Sequence, residues 1–244
     1  MAMATSLDQS LIQDVDRALS EESPRDGYAR RPREVLGRPA LPSAILESSR
    51  LAILRLVKEV DAGGTLAIIG ATRKEGRSII AAAAAVSLVR DTRERVLLMD
   101  LSLESPAQAS LFQVKNSPGL AEYVAGHSPL RLVTGTPDRR LCLLPAGSIS
   151  AESRSLGGRI SKATLTTLRE RFSWVILDLP SLSETPDAAL LAASADYRIV
   201  VARHRHSSIW QLNHILDLVG SLDSTGLLLT GERRSAPAWL SRLL

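Results

Sequence analysis

Residues 65–80 read TLAIIGATRKEGRSII, an apolar run, a loop containing glycine, and the start of a helix that continues through AAAAAVSLV. Strand, loop and helix in this order are the setting in which a loop cradles phosphate, because loop N–H groups and a helix N-terminus converge on one anion. The chemistry matches only in part. Where such a loop carries its phosphate-binding lysine the chain has Arg77, and where a second glycine is usual it has Lys74. Arginine keeps the positive charge, but its planar fork does not replace a compact ammonium. A side chain at 74 costs roughly 1 kcal/mol or more if the backbone there must be left-handed.

Beyond the loop, short apolar runs recur as RVLLMD (95–100), RLCLLP (140–145), SWVILDLP (173–180), DYRIVVAR (196–203) and GLLLT (226–230). Helical stretches are expected between them near 106–112, 118–126, 158–171, 186–194 and 208–221. Continuous rather than alternating apolar strands are buried on both faces, with helices as crossovers. The fold predicted is α/β, a doubly wound, mainly parallel sheet. Ligands of such sheets bind at the strands' carboxyl ends, where the loop, Asp100 and Asp178 all fall.

Ahead of this region, Leu7, Leu11, Ile12, Val15, Ala18 and Leu19 have helical spacing, and a Pro-, Gly- and Arg-rich stretch follows. The expected organisation is an amphipathic helix and flexible linker over 1–42, an α/β domain over 43–232 that opens with a second amphipathic helix, and a tail over 233–244. The long linker favours an intermolecular role for the first helix.

The 244 residues, 45% hydrophobic and only 3% aromatic, suit one aliphatic core. No run is long and apolar enough to span a membrane, and the N-terminus lacks the unbroken apolar stretch of a secretory signal, so a cytoplasmic protein is expected. Cys142, the single cysteine, lies inside LCLLP and reads as a core thiol. The net charge of +4 comes mostly from scattered arginine. Without a recognition helix or a stacking surface, this excludes specific nucleic-acid binding as the leading reading.

Asp100 and Asp178 each close an apolar strand, as carboxylates do that hold magnesium near nucleotide phosphates. The ordered set of loop, Asp100 and Asp178 resembles the bacterial tyrosine kinases of capsule and exopolysaccharide synthesis, relatives of the Min and Par site-positioning ATPases, over about residues 42–231. ESSRLAI is similar to that family's E-x-x-R-x-x-R subunit-contact motif, with Glu47 and Arg50 matching and Ile53 in place of the second arginine. In the loop Glu75, Gly76 and Ser78 match P-G-E-G-K-S-T. PGLAEYVAG, LLPAG and FSWVILDLP follow in the family's order.

The resemblance implies a P-loop NTPase fold of the Min, Par and tyrosine-kinase branch. It places ATP or ADP on Glu75, Gly76, Arg77 and Ser78, and Mg²⁺ on Ser78, Asp100 and Asp178, the two aspartates being the catalytic candidates of an active enzyme. It implies contacts through Glu47 and Arg50, with a membrane polysaccharide co-polymerase, a paralogous kinase or further copies of the chain, at the inner face of the cell membrane. The family rings use this helix, and Ile53 leaves that contact incomplete.

The departures gather at the chemistry. Arg77 replaces lysine, Ser102 replaces the second aspartate of D-x-D-x-R-K-P, and the C-terminal tail has no tyrosine. Together they point to a kinase-like regulator or scaffold with impaired catalysis. An active ATPase or autokinase, and a site-positioning protein, are the alternatives.

The remaining features read plainly. His204 and His206 in RHRHSS lack local carboxylate or cysteine partners and suit a solvated basic loop. Ile209, Leu212, Leu216 and Val219 form a helical core stripe. Trp239, Leu240, Leu243 and Leu244 make an apolar terminal cluster whose plainest role is docking on its own domain.

Overall fold

The computed structural model describes residues 2–20, 36, 39, 41, 43–58, 63–134, 139–149, 160–219 and 224–231. Most of the linker and the whole tail, with its Trp239 cluster, lie outside the described residues. The strands are β1 (Gly64–Ile69), β2 (Val96–Asp100), β3 (Val133–Thr134), β4 (Leu141–Leu144), β5 (Trp174–Asp178), β6 (Tyr197–Arg203) and β7 (Thr225–Thr230). They form one sheet in the order β3-β4-β2-β5-β1-β6-β7, parallel except for the β3–β4 pair. All six expected strand runs are present; β3, only two residues long, carries too short a pattern to read.

The helices are α1 (Ala2–Ser20), α2 (Ser43–Lys58), α3 (Arg77–Thr92), α4 (Gln108–Leu111), α5 (Leu120–Val124), α6 (Lys162–Leu168), α7 (Asp187–Ser194) and α8 (Ile209–Val219). β1, β2 and β5 are buried along their whole length, as unbroken apolar strands demand. On one face, α3 lies flat on the sheet and α2 covers it. Ala81 to Ala85 are all fully buried, since small side chains let α3 approach the strands closely.

On the other face, α1 corrects an expectation. Leu11 and Val15 are buried in the same apolar cluster as Leu97, Met99 and Leu168. Arg171 grips the Asp16 carboxylate through Nε and an Nη at 2.5 and 2.7 Å, and the Tyr123 hydroxyl donates to Asp14 Oδ2 at 3.0 Å. An apolar stripe that seals the sheet of its own domain is not offered to another molecule. The linker is not wholly free either: Leu36 is buried, and its N–H donates to the Thr134 carbonyl at 3.1 Å.

Two further readings change. Ile215, not Ile209, completes the core stripe of α8; Ile209 is 66% exposed. Ile53 is buried against α3, which explains an aliphatic residue where an arginine is usual. Cys142 is buried on β4 as expected.

Arg198 of β6 is buried, and its hydrogen bonds among the described residues go to backbone carbonyls and a hydroxyl. Its guanidinium donates to the carbonyls of Ala192, Ala193 and Ala195 at 2.8 to 3.1 Å and to Ser224 Oγ at 2.9 Å, closing the end of α7. A lysine has no fork with which to serve these directions at once. Arg198→Lys is expected to cost about 2 kcal/mol in urea unfolding, because buried carbonyls lose their donors. An unchanged midpoint would mean that the fork is replaceable.

Candidate functional site

In spatial order β2, β5 and β1 are neighbours, so Asp100, Asp178 and the loop after Ile69 stand side by side at the sheet's carboxyl edge. The loop keeps the backbone of a phosphate cradle despite its altered residues. Lys74 adopts φ 66° and Gly76 φ 97°, both left-handed, so the chain bears the strain that glycine at 74 would avoid. Gly76 precedes α3 without a side-chain cap, which leaves the first-turn N–H groups of α3 to an external acceptor.

The loop is fastened from outside. His206 Nε2 donates to the carbonyl of Arg73 at 3.1 Å, Arg203 to that of Lys74 at 3.0 Å, and Thr230 Oγ1 to that of Glu75 at 2.6 Å. In a planar trans peptide the C=O and the following N–H point in opposite directions. With these carbonyls drawn toward β6 and β7, the N–H groups of residues 74, 75 and 76 face the other way, a nest for an anion. Glu75 is buried within the loop and accepts from Thr72 N and Oγ1 at 3.0 and 3.2 Å and from Ser207 Oγ at 2.6 Å. It shapes the loop and turns its own charge inward. Gly70 makes room for it: a Cβ there would lie 2.2 Å from Glu75 Oε2.

Arg77 is buried and committed within the chain. One Nη donates to the Leu179 carbonyl at 2.8 Å and the other reaches Glu184 Oε2 at 3.4 Å. Arg73 also reaches Glu184, at 3.5 Å. Burial would raise the Glu184 carboxyl, but hydrogen bonds from Ser181 and the charges of Arg77 and Arg73 outweigh it and hold the group below its usual value. Glu184 therefore stays an anion facing both arginines of the loop region.

Asp100 and Asp178 are register partners and fully buried. Asp100 accepts from the backbone N–H groups of Ser102, Ala107 and Gln108 at 3.2, 3.0 and 2.9 Å, so it anchors the segment after β2. Burial and then the Asp178 charge push it up to about 7, against these three donors. Asp178 is likewise raised by burial, opposed by Gln108, Ser78 and Arg77. Gln108 Nε2 bridges the Ser78 carbonyl and Asp178 Oδ2 at 2.9 and 2.7 Å. Asp178 Oδ1 and Gln108 Oε1 are buried without hydrogen-bond partners. A buried orphaned carboxylate oxygen calls for a proton or a cation, and the all-oxygen donors around Ser78 suit Mg²⁺.

Every residue expected to bind nucleotide or metal thus falls at one edge. Glu47 and Arg50 do not belong there: they lie on α2. Glu47 is exposed, whereas Arg50 is clamped on Asp91 of α3 at 2.7 and 2.8 Å. In that pair the Arg50 side chain keeps 42% of its surface in solvent. Gln108 and Glu184 went unread. Nothing local marks them, since each meets its partner only through the folded sheet.

A family model described as cellulose biosynthesis protein BcsQ matches residues 64–224, from β1 to the start of the last strand. The chain belongs to the BcsQ family. The BcsQ-family chain is also 29% identical over 136 residues to the succinoglycan biosynthesis transport protein ExoP of Rhizobium meliloti, covering 54% of this chain and 17% of that one. It is 26% identical over 140 residues to tyrosine-protein kinase etk of Escherichia coli K12, covering 57% and 19%. It therefore matches less than a fifth of the length of these two relatives. The kinase domain of Escherichia coli tyrosine kinase ETK has the same fold, with a TM-score of 0.70 at 22% identity over 87% of this chain and 86% of that one. The likeness to polysaccharide-linked tyrosine kinases stands, and the P-loop NTPase fold class with it.

Proposed function

We propose that this BcsQ-family protein binds a nucleotide phosphate in the 73–78 loop and acts as a catalytically impaired regulator or scaffold of exopolysaccharide synthesis. It works with a membrane polysaccharide co-polymerase at the inner face of the cell membrane. One observation carries the reading: Arg77 is fastened to Leu179 O and Glu184 while the backbone nest remains formed. Backbone N–H groups hold phosphate without any side chain. Phosphoryl transfer needs more, a cation free to follow the charge that develops on the transferred group. Arg77 is paired with an anion instead.

Ser78 and Asp178 would hold Mg²⁺ with Asp100 behind them, and the ion would neutralise phosphate charge. The chain's own part is to orient: Gln108 fixes the Asp178 carboxylate, and Glu75 fixes the loop. The expected result is calorimetric binding of ADP and ATP to the purified chain. Binding weakens roughly tenfold or more in Gly76→Val, where a branched residue must take φ 97°. No label passes from ATP to protein, even with a co-polymerase segment supplied. Absence of binding at millimolar nucleotide in a folded protein would overturn the nucleotide part.

The orphaned Asp178 Oδ1 favours a second reading, an active Mg²⁺-dependent ATPase or tyrosine autokinase. Turnover that disappears in both Asp178→Ala and Arg77→Ala would establish it and overturn the first.

A further inference from the structure

The turn from β6 into α8 exposes what a soluble surface ordinarily hides. Ile209 and Trp210 open α8 with 66% and 82% of their surface in solvent. The edge strand β7 adds Leu227 and Leu229, 61% and 52% exposed. Leu228 between them packs into the α2 and α3 side, so these two leucines face the α8 side. Leu229 pairs with Ala202 and Thr230 with Arg203, which brings the end of β7 level with the start of this turn.

The same corner is basic. Arg203, His204, Arg205 and His206 are all exposed, as are Arg73 and Lys74 of the loop that Arg203 and His206 hold. Arg205 adopts φ 59°, a left-handed backbone unusual for arginine. In sequence the acidic residues around this corner are Glu75, buried in the loop, Asp196 at the start of the β6 run, Asp217, two turns along α8, and Glu232, which two arginines follow.

We infer that this corner, with Trp210 and Ile209 as insertion residues and Arg205 as a headgroup contact, binds the surface of an anionic lipid bilayer directly. A tryptophan flanked by aliphatic side chains and cations matches the interface, where an amphipathic ring sits at headgroup depth and basic residues meet anionic lipid. Nucleic acid fits less well, because three aliphatic side chains give no stacking surface. The tie from Arg203 and His206 to the phosphate loop places the bilayer beside the nucleotide end of the domain. The inference stands whether or not nucleotide binds.

The test is vesicle co-sedimentation of the full chain carrying Trp239→Phe, with phosphatidylcholine vesicles with and without phosphatidylglycerol. Trp174 is buried, so a blue shift of emission on adding anionic vesicles reports Trp210. Binding is expected only with phosphatidylglycerol and to weaken with salt. It should fall roughly tenfold in Trp210→Ala and roughly fivefold in Arg205→Ala, both with unchanged thermal midpoints. No binding at low salt, or binding that Trp210→Ala and Ile209→Ala leave intact, would overturn the inference. So would single-stranded oligonucleotide displacing the vesicles through Trp210.

Discussion

At pH 8 and in the presence of a chelator, Asp178→Asn is expected to unfold at a higher temperature than the unaltered chain. Two carboxylates buried side by side with one orphaned oxygen are a liability in a fold free of cations. Asp100, raised from 3.8 to about 7 by burial and then by Asp178, carries a penalty of roughly 4 kcal/mol once fully ionised. The amide removes the repulsion and the buried charge at 178, and keeps an oxygen for Gln108. A gain of about 2 to 4 kcal/mol, or roughly 5 to 12 °C, is expected.

The pH dependence gives the cause away. Between the unfolded value near 4 and the folded value near 7 the native state binds more protons than the unfolded chain. The penalty is therefore absent below that window, grows as pH rises through it, and is complete above. The gap between Asp178→Asn and the unaltered chain should close toward pH 5, and at pH 8 Mg²⁺ in place of chelator should narrow it by stabilising the unaltered chain. A variant less stable at pH 8, or a gap indifferent to pH, would show that the pair is not strained. Stability given up at the carboxyl edge is the mark of a site kept for a ligand.

How much of this was legible beforehand follows from the range over which each signal acts. The sheet was readable because β1, β2, β4, β5 and β6 are buried on both faces, which writes burial into consecutive residues. The loop, Asp100 and Asp178 were readable because the end of a parallel strand is a place as well as a composition. The Glu184–Arg77 pair, separated by 107 positions, has no such local imprint. The same holds for Arg50 and Asp91. Lys74 shows the limit of composition differently: losing the glycine did not lose its left-handed backbone, because Arg203 and Thr230 hold the neighbouring carbonyls in place. Ile209 fits a helical stripe by spacing alone, yet it stands at the first position of α8, beyond the edge of the layer that the later turns cover.

The first helix supplies the other large effect, since α1 lies outside the matched region and yet completes the core. Val15 is 1% exposed and sits with Leu11 over Leu97, Met99 and Leu168. Val15→Asp loses the burial of a valine and places a carboxylate where apolar side chains surround it. Its escape is for α1 to leave the sheet, which uncovers that cluster and breaks the Arg171–Asp16 pair. A loss of about 4 kcal/mol is expected by chemical unfolding, with dye binding to the uncovered face. Gln13→Asp is the control: position 13 is exposed on the same helix, so an equal charge there should change stability by less than about 0.5 kcal/mol. Equal midpoints for the two variants would mean that α1 is not docked in solution and would return it to an intermolecular role. If the difference is found, the Asp14–Tyr123 bond becomes informative, because it ties α1 to the helix that packs on the LLPAG turn. The Leu120 and Ala121 N–H groups donate to the Pro145 and Ala146 carbonyls at 2.8 and 2.9 Å, so undocking α1 loosens one of the walls of the sheet's carboxyl edge. Nucleotide affinity should then fall in Val15→Asp, and unaltered affinity would show that wall to be independent of the helix.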